Sequence, residues 1–192
     1  MEGDMLLDVQ PDRTGPKNLA VLLFFGSLLV LWMGYADLQA HRYGLSEDQV
    51  ETLLATPNAQ GGEPTTVEDL RTFEEEARSE NAFLLRAVSL LTSGGLLLVG
   101  ALLLFRLQRL GAYLSSAGAI IGLFGGVGAS LMIRGSARMH LKETLLPTYE
   151  AWVYICGSMM GLCLAIAALP LLNLRARLAL LPVKLVIDDE SE

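Results

Sequence analysis

The chain has 192 residues, 52% of them apolar and 18% charged, with a formal charge of −7. A soluble domain carries about 25% charged residues, so a mean hydropathy of +0.44 excludes that class, and disorder of the main body with it. An isoelectric point near 4.9 argues against a nucleic-acid partner.

A span of about 30 Å of hydrocarbon needs roughly 18 or more apolar residues at about 1.5 Å each. After a tail over 1–17, expected to be flexible, four runs meet that length: 18–37, 82–105, 110–133 and 151–172. Backbone groups in lipid must pair within their own segment, so each run is predicted to be a helix. No alternating ten-residue segments of a barrel type are visible. The first run is too long for a signal-peptide core, and Asp37-Leu38-Gln39-Ala40 lacks the small residue a cleavage site needs. It is read as a retained span. The expected fold is an all-α integral membrane protein: four transmembrane helices in a bundle, with an acidic helical hairpin outside the bilayer between helices 1 and 2.

That hairpin, over 38–81, belongs to the segment that carries the charge. Between residues 38 and 85, Arg42, Arg71 and Arg78 face Glu47, Asp48, Glu51, Glu63, Glu68, Asp69, Glu74, Glu75, Glu76 and Glu80, and acids and bases balance elsewhere. Ser46 and Gln49 fit a capping box, predicting a helix from Glu47 to about Ala55, before a turn-rich linker over Thr56–Pro64. Thr66 precedes Glu68 and Asp69, a second helix start with acids in its first turn. With no Pro or Gly from Val67 to Thr92, one helix is expected to run from 67 straight into the second span, about 58 Å in all, with Ser93-Gly94-Gly95 as its one kink point. Val67, Leu70, Phe73 and Ala77 recur at helical spacing. They are expected to pack on Val50, Leu53 and Leu54, the sharper alternative being a face for a partner protein or a second copy. Glu74, Glu75 and Glu76 read as a solvated face.

The third run is the most patterned. Gly118, Gly122 and Gly126 make two overlapping GxxxG steps, Gly111, Gly118 and Gly125 repeat every seven, and Gly157 and Gly161 repeat the four-residue step in the fourth run. Lipid supplies no hydrophobic drive between helices, so small residues let backbones approach and van der Waals contact act. Packing within the bundle is the expectation; a homo-oligomer or another membrane subunit is the alternative.

Ionisable residues inside a membrane usually mark function, and no acid or His lies near any span's midpoint. Arg86, one turn into the second run, is expected to snorkel to the interface. His41 and His140 fall on one side of the membrane but lack metal-ligand spacing. Cys156 and Cys163, seven apart on one helix, stand about 10.5 Å apart and cannot bridge. No cofactor, metal or catalytic residue is expected. Lys and Arg counts tie across the two sides. The short basic connection Arg106–Arg109 and the acids of the N-terminal tail favour both termini in the cytoplasm, in the cell membrane. After the fourth run, 173–192 reads as an interfacial segment with Arg175 and Arg177, an apolar stretch Val183–Ile187 and an acidic end. The functional expectation is a non-catalytic interaction, scaffold or accessory subunit of a membrane assembly, the alternative a small oligomeric channel or transporter.

Overall fold

A computed structural model of the chain describes residues 12–59 and 63–180, and among them every regular element is a helix. In chain order these are α1 (Thr14–Tyr43), α2 (Glu47–Ala59), α3 (Val67–Ser79), α4 (Ala82–Phe105), α5 (Arg109–Ile121), a π-helical turn (Gly122–Gly126), α6 (Val127–His140), α7 (Leu146–Leu172) and α8 (Leu174–Ala179). α5, the π turn and α6 form one continuous helix, so four helices are long and apolar enough to cross a membrane: Thr14–Tyr43, Ala82–Phe105, Arg109–His140 and Leu146–Leu172.

Three of these spans outrun their apolar cores. Polar flanks still form helix where no breaker intervenes. α1 takes in residues 14–17 of the expected tail, tolerating Pro16 in its first turn, where an N–H has no helical acceptor. It stops at Gly44, whose φ of 75° ends the helix while its N–H closes onto the Ala40 carbonyl at 3.0 Å. The third span continues past Ile133 to His140. α7 begins at Leu146, with Pro147 in its first turn. The readings of residues 1–11, of 60–62 within the linker, and of Val183–Ile187 and the acidic end lie outside the described residues. α2 runs to Ala59 and takes in half of that linker.

The single helix expected from 67 to 105 is two. Asn81 adopts a left-handed conformation, φ 58° and ψ 21°, between α3 and α4. Asn tolerates that region better than most residues, so a break needs neither Pro nor Gly. Ser93-Gly94-Gly95 stays within α4.

α1 packs on α4, α4 on the third span and the third span on α7, while α1 and α7 touch little. Accordingly the second and third spans bury 44% and 39% of their apolar windows, the first and fourth only 28% each. One core cluster joins Leu23 and Val30 to Leu90, Leu97, Leu104, Ala119 and Met160. A second joins Val50, Leu54, Leu70, Phe73 and Phe83 to Ile133, Ala137 and Leu145. That second cluster fastens α2 and α3 onto the end of the third span.

Candidate functional site

The glycines divide by what surrounds them. A Cβ on Gly111 would lie 2.6 Å from the Gly100 carbonyl oxygen and collide with the Leu104 backbone; on Gly118 it would lie 2.9 Å from the Ser93 carbonyl. Both contacts are backbone of α4, which no rotamer change can relieve. Gly122 abuts Ser93 and Met160, Gly125 abuts Ser89, and Gly126 abuts Leu90. Gly157 meets only Val127 at 3.6 Å, and Gly161 has nothing within 4 Å. Gly100 completes the contact with Gly111 from the opposite helix, and sequence reasoning passed over it. The π turn was missed as well. Three glycines in five residues lower helix propensity enough to admit the extra residue.

Of the four-residue stripe on α3, Leu70, Phe73 and Ala77 are fully buried and Val67 is exposed. They are covered by this chain's own Val50, Leu54, Ile133 and Ala137, and Phe73 meets Phe83 and Tyr149 edge-on at ring distances of 6.4 and 4.8 Å. Three of the four are therefore not a free docking face. The larger partner of α3 is α6 rather than α2. Glu74 corrects the solvated-face reading: it is only 4% exposed. It accepts from the Leu45 N–H at 2.7 Å and from Arg71 at 3.1 Å, and Arg71 also donates to the Leu45 carbonyl at 2.8 Å. The signal was present, since Glu74 stands four residues after Leu70 and three before Ala77, on the buried face.

The expected capping box at Ser46 forms, and the Thr66 cap is a second one, closed by Asp69. Ser46 and Gln49 exchange hydrogen bonds of 3.0 and 3.3 Å, Thr66 and Asp69 two of 3.1 Å. The Thr66 backbone and hydroxyl donors hold the Asp69 carboxyl below its ordinary range.

Charged pairs tie this segment to the end of the third span, and the third span to the fourth. Glu76 pairs with His140. Lys142 meets Glu63 at 3.0 Å, which raises its pKa. Arg134 and Arg138, one turn apart on α6, both hold Glu150 of α7, at 3.0 and 2.5 Å.

Arg86 does not snorkel free. It grips both carboxylate oxygens of Asp37 on α1, with Nε 2.7 Å from Oδ2 and an Nη nitrogen on Oδ1. Asp37 is the last residue of the first run, and α1 continues through it to Tyr43, which keeps it on the buried face beside Arg86. Beside this pair, between the ends of α1 and α7, lies a cavity of about 420 Å³ lined by both residues and by Trp32, Tyr35, Phe83, Tyr149 and Trp152. Among the described residues no three His, Cys, Asp or Glu side chains gather as metal ligands. Cys156 and Cys163 are buried and free.

Four apolar helices of spanning length make the chain a multi-pass membrane protein. No family model, curated protein or solved structure matches it.

Proposed function

We propose that the chain is a non-catalytic accessory or scaffold subunit of a membrane assembly. The observation that carries this reading is the division of its surface. α3 is fastened to α6 by a core cluster that also takes in α2 and by the Glu76–His140 pair, and a Glu63–Lys142 pair joins the segment before α3 to the one after α6. The outer flanks of α1 and α7 meanwhile stay apolar and open, with Phe25, Trp32, Tyr154 and Leu162 each more than 60% exposed. A preformed extramembrane platform over a bundle with two uncovered flanks suits a protein whose role is to be held by others. Gly161, open on the flank of α7, is where a neighbouring membrane helix could approach closely. The finer topology belongs to the same reading: both termini in the cytoplasm, the acidic hairpin outside, the cell membrane as location, and close glycine packing within the bundle.

Cross-linking from residues 45–55 or 63–80 in native membranes, followed by mild-detergent purification, tests it. Capture of a defined membrane partner, or of a second copy, supports the reading. A lone monomer that cross-links to nothing contradicts it.

A further inference from the structure

We propose that the cavity between α1 and α7 is a membrane-lipid site, with one acyl chain lying along the trough and the lipid's glycerol-level oxygens held at the Asp37–Arg86 pair. The volume, about 420 Å³, falls within the roughly 300–1,000 Å³ of ligand sites. Three features choose the occupant.

The first is position. Trp32 and Trp152 line the cavity from opposite helices, and both are exposed on the outer face of the bundle, 71% and 46%. Each stands at the end of its apolar run nearest the acidic segment, the depth at which tryptophans mark the boundary between hydrocarbon and headgroups. A trough flanked by two exposed tryptophans at that depth is filled from the bilayer.

The second is polarity. Apolar Met33, Ala36 and Ile133 line the same space as Arg86, Gln39 and Gln49. This arrangement suits a molecule that changes from hydrocarbon to oxygen along its length.

The third is an unmet donor. Arg86 commits Nε and one Nη nitrogen to Asp37. Its other Nη nitrogen donates to none of the described residues, yet it is not among the sealed polar atoms. Lipid oxygens can accept from it. Asp37 balances the Arg86 charge, and Arg71 that of Glu74, the other charged side chain on the cavity wall, so recognition is by hydrogen bond and shape, and an anionic headgroup gains no advantage.

The chain contains only two tryptophans, both on this cavity, so their fluorescence reports its occupancy. The experiment titrates the protein in detergent with dibrominated phosphatidylcholine, then with dibrominated phosphatidylglycerol. The site predicts quenching that reaches a plateau near about one lipid per chain, with midpoints for the two headgroups within about threefold. Ala36→Phe, which fills the trough from an exposed position on α1 and adds no tryptophan, shifts the midpoint about tenfold upward at unchanged helix content. Trp32→Phe leaves Trp152 as sole reporter, quenched over the same range. Quenching that rises in proportion to the lipid-to-detergent ratio without a plateau, or that ignores Ala36→Phe, overturns the site. A preference above about tenfold for phosphatidylglycerol overturns the charge-balanced mode of recognition.

Discussion

Arg86 of α4 and Asp37 of α1 share a two-pronged ion pair, with side chains only 18% and 10% exposed. It is the polar contact that locks the first span to the second. Losing one partner from a largely buried pair leaves the other charge uncompensated, which costs more than the pair contributes. Asp37→Asn or Arg86→Met alone is expected to lower stability in detergent by about 2–3 kcal/mol, the modest side of the buried-pair range because the cavity admits some solvent. The double variant is expected to lose less than the two singles summed. Thermal unfolding of all four proteins checks it, and strict additivity would deny the coupling.

Glycines of the third and fourth spans range from those that touch backbone, such as Gly111, to those that touch nothing, such as Gly161. Gly111→Ala places a methyl against the backbone of Leu104 and Gly100, and should destabilise by about 1–3 kcal/mol. Gly161→Ala meets nothing within 4 Å and should change the fold by less than about 0.5 kcal/mol. Comparing their midpoints of detergent unfolding separates packing within the bundle from a surface kept for a neighbour. Equal costs would contradict the assignment.

The α3 cap predicts a pH dependence. Hydrogen bonds from Thr66 depress the Asp69 carboxyl. A group depressed in the folded state contributes fully above its ordinary pKa, and the contribution fades as pH falls through the lowered folded value. Thr66→Ala should cost about 1 kcal/mol at neutral pH. Asp69→Asn should flatten the part of the acid-side loss that belongs to this residue. Melting temperatures from pH 7 to pH 3 supply the test, and identical slopes for wild type and Asp69→Asn would refute it.

Asn81 ends α3 and starts α4 from a left-handed conformation. Asn81→Gly should be tolerated, whereas Asn81→Ile should cost about 1–2 kcal/mol, the penalty of that conformation for a branched residue. Equal stability of the two variants would mean that α3 and α4 run on as one helix.

How much of this was legible in the residues depends on the range of the interaction. Hydrophobic length, the Ser46 capping box and the Thr66 cap are local, and the four spans and the starts of α2 and α3 followed from them. Helix ends were misplaced where polar residues such as Arg134 to His140 continue a helix that hydropathy alone would stop. The break at Asn81 carries only the weak preference of one residue. Pairings were the least legible. Nothing in the sequence places Asp37 beside Arg86 or His140 beside Glu76, because each contact joins residues 49 or 64 positions apart. Glu74 is the instructive case: its charge argued for solvent, its register argued for burial, and register prevailed because the Leu45 N–H and Arg71 satisfy the carboxylate.

The central claim is that the acidic segment lies closed upon the end of the third span. In a chain with Cys156 and Cys163 replaced by alanine, Glu76→Cys and His140→Cys put thiols on the two sides of that contact. Mild oxidation in intact membranes should join them within one chain in most molecules, while a control pair of Glu75→Cys, on the exposed side of α3, with His140→Cys stays reduced. Failure of the first pair to join, or labelling of its two thiols from opposite sides of the membrane, would contradict the account.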